Sequence, residues 1–340
     1  MYIYTSSFAT IVAVLVCFLN ILSATASHIS RDPSGVARSI TTVYQFPSPT
    51  WLENLAIRLN GETLVTVVNP ADLYIVDPRR TPATATLLYS FPDANAASGI
   101  TEITPEVFVV AAGNYSLATL AATPGSWSVW KVDLRSREPA ISKIADVPGA
   151  TFLNGMTALS GRKDTVLMSD SGLGLIWRLD ICTGEYAVVL EDETMKPEPG
   201  AIPQIGVNGI RRLRDYLYYV NPEKFLFCRV RIDPRTGIAR GPYEVIATGV
   251  RPDDFAIARD GTAYVAGNPT NVVWRVTPDG TATVIAGNLN SSEVAGATSA
   301  QFGRTKKDRD VLYVVTTGAL AAPVNRTFTE GGKVVALEIE

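Results

Sequence analysis

The sequence contains a single histidine, His28, and only three cysteines among 340 residues. One histidine near the N-terminus argues against a Ser-His-Asp or Cys-His relay and against a histidine-ligated zinc site. The chain has no run of basic residues and a formal net charge of -3, which argues against a nucleic-acid partner. It also lacks a GxxxxGK[ST] loop and a GxGxxG motif before a helix, so the usual evidence for a nucleotide-binding fold is missing.

The first 26 residues predict a secretory signal peptide. Residues 8–22 form an apolar run that is too short to span a membrane, and the cleavage motif Ala24-Thr25-Ala26 follows it. We therefore expect a protein that is secreted or held in the secretory pathway, with one domain over residues 27–340 and no membrane span after cleavage. Three sequons support this route and predict glycosylation at Asn114, Asn290 and Asn325.

Two cysteines remain after cleavage of the signal peptide, namely Cys182 and Cys228. In a secreted protein they are a possible disulfide pair. The alternative is two separate buried thiols, because cysteine is among the residue types that are most often buried.

A repeated unit organises the rest of the chain. A turn with a polar residue leads into a short apolar stretch, and this feature starts at residues 53, 98, 154, 208, 253 and 298. Each start is followed by two further β-rich runs. The first of these is the second strand of its unit, and it covers residues 63–68, 107–112, 165–170, 216–221, 262–267 and 311–316. An outer fourth strand follows in five of the units, and residues 41–46 can supply the one missing from the sixth.

Six four-stranded units of this kind predict an all-β fold, a six-bladed β-propeller. The N-terminal strand would close the last blade and so remove the free edge of an open array. A large antiparallel sandwich is the alternative fold, which the spacing of 45 to 56 residues between starts does not favour.

Three motifs resemble the SMP-30/gluconolactonase/LRE-like propellers: Asn208-Gly209, residues 251–254 (RPDD) and residues 297–303 (ATSAQFG). They occur in order at the expected blades, and the resemblance covers residues 41–340. In metal-dependent members, a glutamate, an asparagine and an aspartate hold one divalent ion in the central funnel. The resemblance implies that these metal ligands are Glu53, Asn208 and Asp253, with Asn154 at the position that contacts the substrate.

The chemistry of this ligand set is that of a hard cation. Carboxylate and amide oxygens suit calcium or magnesium, and water bound to such an ion could attack a lactone or ester. The sequence departs from the family at Asn54 and at Asp254, where those hydrolases usually have glycine. Asn-Gly and Asp-Asp are also common turn formers, so a structural role for these residues stays open.

A narrower resemblance concerns residues 46–54 (FPSPTWLEN). The segment is similar to one in a fungal, secreted branch that includes the hetero-Diels–Alderases of tropolonic sesquiterpenoid pathways. This implies a reaction between an o-quinone methide and the alkene of a humulene-type terpene to form a dihydropyran. Such a cyclase needs no cofactor, only a pocket that holds two apolar small molecules together and excludes water.

Four polar residues are the candidate catalytic groups in this interpretation. An asparagine, Asn154 or Asn208, would donate a hydrogen bond to the dienone oxygen. A carboxyl, Glu53 or Asp253, would assist the loss of water from a hydroxymethyl precursor.

Aromatic residues next to the repeat turns are the candidate substrate-binding groups, namely Trp51, Tyr115 and Phe152. Core packing explains Phe302 better than stacking on a ligand does. Asp170 and Asn221 end second strands at the expected funnel face and are further candidates. The segment 196–203 (KPEPGAIP) is either a substrate-shaping lid or a passive connection.

Three functions remain open from the sequence. They are a cyclase that controls a cycloaddition, a metal-dependent lactonase or esterase of the gluconolactonase type, and a non-catalytic binding propeller. The N-terminal segment and the apolar residues around the turns favour the cyclase.

Overall fold

The computed structural model describes residues 37–339, which form 26 β-strands joined by turns and loops. The predicted signal peptide and His28 lie outside the described residues. Across residues 37–339 there is no helix of the length and apolar character needed to cross a membrane.

The strands are short, as expected for β-branched and aromatic runs bounded by Gly, Pro, Asn and Asp. The first eleven are β1 (Ser39–Gln45), β2 (Trp51–Ile57), β3 (Thr63–Val68), β4 (Asp72–Asp77), β5 (Thr84–Ser90), β6 (Ala96–Thr104), β7 (Val107–Gly113), β8 (Tyr115–Ser116), β9 (Ala121–Ala122), β10 (Ser128–Asp133) and β11 (Ala140–Asp146). The next eight are β12 (Leu153–Ala158), β13 (Thr165–Asp170), β14 (Leu175–Asp180), β15 (Tyr186–Glu191), β16 (Ile210–Leu213), β17 (Tyr216–Asn221), β18 (Leu226–Ile232) and β19 (Ala239–Thr248). The last seven are β20 (Phe255–Ile257), β21 (Ala263–Gly267), β22 (Val272–Val276), β23 (Ala282–Gly287), β24 (Ala297–Phe302), β25 (Val311–Thr316) and β26 (Lys333–Glu338).

Antiparallel pairing joins most strands into four-stranded sheets. Three of these sheets are β12 to β15, β16 to β19 and β20 to β23. Two more groups, β2 to β5 and β6-β7-β10-β11, are connected by a single pair, Val68 with Ala96, into one eight-stranded sheet. In the other four-stranded sheet, with the order β1-β26-β25-β24, β1 pairs with β26. This is the pairing predicted for residues 41–46.

The apolar core is divided among the spaces between neighbouring sheets. Phe108 of β7 packs with Leu73 of β4, Tyr219 of β17 with Ile176 of β14, and Phe255 packs in a cluster with residues of β17 and β18. Each sheet therefore buries its faces against its neighbours. This arrangement is a β-propeller, so the predicted all-β propeller fold is confirmed.

The innermost strands carry irregularities at the polar starts of the repeat. The register shifts within β2, β6, β12 and β24, at the positions that include Glu53 and Asn154. Bulges of this kind redirect side chains and are frequent next to active sites. Asn208 and Asp253 directly precede β16 and β20, so all four candidate catalytic residues lie at the same end of the innermost strands.

Hydrogen bonds connect each innermost region to the next. They are Thr298 Oγ1 to Leu52 O (2.8 Å), Thr66 Oγ1 to Ser98 O (2.7 Å), Ser98 Oγ to Leu153 O (2.8 Å), Ser169 Oγ to Asn208 O (2.6 Å), Gly209 N to Asp253 O (3.1 Å) and Asp254 N to Thr298 O (2.9 Å). The approach is so close that a Cβ on Gly99 would lie 1.9 Å from the carbonyl oxygen of Asn154. Glycine is therefore required at this position for steric reasons.

The possible disulfide is not formed. Cys182 and Cys228 are both free in the described structure. Cys228 lies fully buried in the apolar core that includes Tyr219, whereas Cys182 is exposed in the turn between β14 and β15. The alternative of two separate thiols is correct, although only one of them is buried.

Candidate active site

Two carboxyl groups, those of Glu53 and Asp253, form the centre of the candidate site. Each residue is only 8% exposed. The indole Nε1 of Trp51 donates a hydrogen bond to Glu53 Oε2 at 2.6 Å. Asp253 accepts one bond from Asn208 Nδ2 at 2.8 Å and one from Asn268 Nδ2 at 3.0 Å. All these donors are neutral, so none of them supplies a countercharge.

Burial without a countercharge raises the pKa values of both groups. Desolvation raises the pKa of Glu53 to about 7, the hydrogen bond from Trp51 opposes this rise, and the negative charge of Asp254 adds to it. The pKa of Asp253 is also well above its usual value, first because of burial and then because of the charge of Glu53. The pair therefore retains a proton close to neutral pH.

This retained proton predicts an unusual dependence of stability on pH. Between pH 4.5 and about 7 the Glu53 side chain is protonated in the folded protein and ionised in the unfolded chain. The folded state then binds more protons, so its free energy of unfolding falls as the pH rises through this window. Urea unfolding of the wild type and of Glu53→Gln at pH 5 and pH 7 measures this decrease in the free energy of unfolding. The decrease should be smaller in the variant, and an equal decrease in both would contradict the assignment.

Aromatic side chains form one wall of the site. The rings of Tyr115 and Phe152 stack with centroids 5.1 Å apart, and Trp127 packs on Phe152 at 5.4 Å. Trp51 contacts the same cluster, which we call the aromatic wall. Burial, together with the charges of Glu53 and Asp253, raises the pKa of the Tyr115 hydroxyl, which therefore stays protonated and able to donate a hydrogen bond.

Charged and polar side chains form the floor of the site. Arg211 and Asp254 make a buried ion pair, with Arg211 Nη2 2.7 Å from Asp254 Oδ2 and side-chain exposures of 9% and 3%. Asn54 Nδ2 donates to the same carboxylate oxygen at 2.9 Å, and Ser299 Oγ bonds to Asn54 Oδ1 at 3.0 Å. The two departures from the gluconolactonase pattern, Asn54 and Asp254, thus belong to one network with Arg211.

The oxygen atoms at the centre fit a hard divalent cation. Glu53 and Asp253 offer carboxylates, and Asn208 Oδ1 is buried without a hydrogen-bond partner among the described residues. An orphaned amide oxygen next to two carboxyl groups has the chemistry of a calcium or magnesium ligand. The same oxygen could equally accept a hydrogen bond from a bound substrate.

Two of the predicted substrate-binding residues have structural partners. Asp170 is fully buried, and its carboxylate accepts hydrogen bonds from the backbone N–H groups of Thr151, Phe152 and Leu173 and from Trp177 Nε1. It therefore holds the chain that carries Phe152.

Asn221 is also fully buried. Its amide donates to the carbonyls of Thr194 and Lys196 and accepts from the N–H groups of Glu223 and Lys224. It orders the loops above β17, and its hydrogen-bonding groups are all used in doing so.

The structure brings together six of the candidate residues, namely Trp51, Glu53, Tyr115, Phe152, Asn208 and Asp253. Asn154, 3% exposed, occupies the bulge of β12 at the same end of the innermost strands. Phe302 packs edge-on against Tyr264 in a core between sheets, away from this set.

Sequence reasoning missed several residues of the site, namely Trp127 of the aromatic wall, Ser299, Arg211 and Asn268. Arg211 lies in the short inner strand β16 (IRRL) beside a second arginine, and the sequence does not indicate which of the two is buried. Asn268 lies in a Gly-Asn-Pro turn, and nothing in the turn itself points to its bond with Asp253.

Comparison with known proteins reveals two similar curated sequences, while no protein-family model matches the chain. The protein named "Putative hetero-Diels-Alderase asR5" from Sarocladium schorii is 30% identical over 328 residues, covering 86% of this chain and 81% of that protein. A second protein of the same description, from a Phoma species, is 28% identical over 300 residues, covering 80% and 85% respectively.

Similar solved structures support the fold. A luciferin-regenerating enzyme superimposes with a TM-score of 0.61 and 15% identity, over 88% of this chain and 94% of its own. A gluconolactonase from Xanthomonas campestris gives a TM-score of 0.58 and 12% identity, over 92% and 94%. Identities this low establish the propeller fold and nothing about activity.

The chain belongs to the family of these hetero-Diels–Alderases. Identity of 30% over most of both chains shows this membership and agrees with the resemblance seen in residues 46–54. The interpretation of the chain as an enzyme of the cyclase type is confirmed with it.

Proposed function

We propose that this enzyme joins an o-quinone methide of the tropolone type to a terpene alkene and forms a dihydropyran ring. The observation that carries the proposal is a carboxyl group that remains protonated near neutral pH, buried beside an aromatic wall. Such a site offers a proton and a dry, apolar environment, which are the two requirements of this reaction. The substrates would be small apolar molecules.

Glu53 would act first, as the acid that generates the diene. Its proton passes to the hydroxyl of a hydroxymethyl tropolone while the C–O bond breaks, and water leaves. The ring hydroxyl then loses its proton to the Glu53 carboxylate, which restores the acid, so the net change is loss of one water molecule. A pKa of about 7 suits this role, because general acids work best when their pKa is near the ambient pH.

Tyr115 would act in the second step, in which one C–C and one C–O bond form between diene and alkene. Its protonated hydroxyl lies close enough to Glu53 and Asp253 to interact with their charges, and can donate to the dienone oxygen. The alternative donors are Asn154 and Asn208, although Asn208 Nδ2 already donates to Asp253. Stacking on Phe152 and Trp51 would hold the two apolar partners in a reactive orientation.

The architecture that we propose for this site is a six-bladed propeller. A closed circuit of hydrogen bonds between neighbouring repeat units supports this architecture. The circuit passes through Leu52, Ser98, Leu153, Asn208, Asp253 and Thr298 and returns to its start. One polar start of the sequence repeat lies at each of these six points.

We also propose entry into the secretory pathway, which the apolar N-terminal run supports. The sequon residues Asn290 and Asn325 are exposed and suited to glycosylation. Asn114 is half-buried and its Nδ2 donates to the carbonyl of Asp93, which makes it the least suited of the three.

The second candidate function is a metal-dependent lactonase, and the orphaned Asn208 Oδ1 favours it. Glu53, Asn208 and Asp253 would hold a calcium or magnesium ion. Such an ion supplies polarisation of a lactone carbonyl. For the cyclase we propose that no cofactor is required.

One experiment separates the two functions. The purified mature protein is incubated with a hydroxymethyl tropolone and humulene, and separately with an aldonolactone, each with and without chelator. We expect a chiral dihydropyran adduct at a rate that the chelator changes by less than about twofold, and no hydrolysis of the lactone. Chelator-sensitive hydrolysis without adduct formation would overturn the cyclase in favour of the lactonase.

A further inference from the structure

The side chains of the candidate site are largely buried in this structure. Glu53 and Asp253 are each 8% exposed, and Tyr115 and Phe152 are each 9% exposed. A loop that packs beside these side chains is therefore a candidate part of the binding surface for two apolar substrates. The segment that meets this description is residues 196–206, which we call the 196–206 loop.

The base of the 196–206 loop is closed and fixed. Val207 N donates to Met195 O at 2.7 Å, and both residues are fully buried. Asn221 Nδ2 adds bonds to the carbonyls of Thr194 and Lys196 at 3.0 and 2.9 Å. The loop thus leaves and re-enters the propeller at almost one point, so its middle can move without disturbing the sheets.

The two isoleucines of the 196–206 loop have different environments. Ile205 packs against the cluster that contains Tyr115, Phe152 and Trp51. Ile202, three residues earlier, is 68% exposed. Ile205 is therefore the loop side chain that contributes an apolar surface beside the aromatic wall.

One carboxylate binds the backbone near both ends of the loop. Glu223 Oε2 accepts from the N–H of Glu198 at 2.6 Å, and Oε1 accepts from the N–H of Ile205 at 2.5 Å. Glu223 lies in the loop after β17, outside the 196–206 loop itself. Bonds from N–H groups to an ionised carboxylate are stronger than those to a neutral acceptor. Glu223 therefore fixes the backbone at Ile205, next to Gly206, whose N–H donates to Ser171 O at 2.8 Å.

We propose that Ile205 is a specificity-determining residue that limits the size of the alkene partner, and that Glu223 is the positioning residue that holds it there. The proposal rests on the proposed function for its substrate. Ile205 packs on the cluster that includes Phe152, so its side chain would compete for space with a terpene held against the aromatic wall. The other residues of the 196–206 loop affect the choice of alkene only through the position of Ile205.

The role of Glu223 is tested first, by hydrogen exchange of the mature protein without ligand. In Glu223→Ala the amides of Glu198 and Ile205 should exchange at least about tenfold faster, because both lose their acceptor. The Val207 amide should keep its wild-type rate, which shows that the base of the loop remains folded. In Glu198→Ala, the control, all three amides should be unaffected. Unchanged exchange at Ile205 in Glu223→Ala would overturn the positioning role.

The role of Ile205 is tested by competition between humulene and a bulkier terpene alkene for the same o-quinone methide. Ile205→Ala should shift the ratio of the two kcat/KM values by about tenfold towards the bulkier alkene, a magnitude typical of methylene-sized changes in a pocket. Ile202→Ala should leave the ratio unchanged. An equal ratio in all three proteins would overturn the specificity role while leaving the cyclase intact. Absence of any adduct with the wild type would refute the cyclase instead, and the specificity role with it, whereas the exchange result would stand.

Discussion

Replacing Glu53 with glutamine is expected to lower the rate of adduct formation from the hydroxymethyl precursor by about 10²- to 10⁴-fold, the usual contribution of a general acid. Glutamine has the same size and can still accept the hydrogen bond from Trp51. It cannot give up a proton to a departing hydroxyl group. The loss should therefore appear in kcat, with little change in KM, in steady-state assays at pH 6.

The matched control is Glu198→Gln, an exposed glutamate of the 196–206 loop, and its rate should equal that of the wild type. The rate of the wild type should also fall as the pH rises above about 7, because the acid form of Glu53 is then lost. If Glu53→Gln retained more than half of the wild-type rate, Glu53 would not be the proton donor.

Breaking the buried ion pair on the floor should have the largest effect on stability. Arg211→Met leaves the carboxylate of Asp254 buried without its cation, and Asp254→Asn leaves the guanidinium buried without its anion. Each single change should lower the free energy of unfolding by about 3–5 kcal/mol, as is typical when one partner of a buried pair is removed. Urea unfolding at pH 7 measures both values.

A double-mutant cycle completes this prediction. The double variant, which carries Arg211→Met and Asp254→Asn, removes both charges and should recover most of the lost stability. Asparagine at position 254 has a single acceptor oxygen, so it can keep the bond from Asn54 or the bond from the N–H of Phe255, which bind different oxygens of Asp254. Arg309→Met, which breaks an ion pair that is about three-quarters exposed, should change nothing measurable. Additive losses in the double variant would show that the two charges do not stabilise each other.

The strand pattern of this propeller could be predicted from the sequence to the residue in several places. The second strands expected at 63–68, 165–170, 216–221 and 311–316 coincide with β3, β13, β17 and β25. They are buried on both faces, so each is a continuous apolar run between polar turns and is easy to recognise. The hairpin of β8 and β9, an insertion of two-residue strands, carries no such pattern and was not predicted.

The candidate site was predicted in part. Glu53, Asn208 and Asp253 were proposed from the resemblance to the propeller family, and as starts of repeats they lie at one end of the innermost strands. The roles of Asp170 and Asn221 were not, because a polar residue at a strand end is compatible with ligand binding and with holding a loop. Only the hydrogen bonds to neighbouring backbone groups distinguish these two roles.

The sequence by itself determined the repeat, the strands and the set of polar residues at the ring's centre, since these depend on periodicity and on the order of units along the chain. The tertiary structure alone decided which of these residues touch. Arg211 forms an ion pair with Asp254, which precedes β20 of the neighbouring sheet, and Glu223 binds a loop that begins 27 residues earlier in the chain. Burial then decided the chemistry, because a carboxyl group holds its proton at neutral pH only where the fold removes water and supplies no cation.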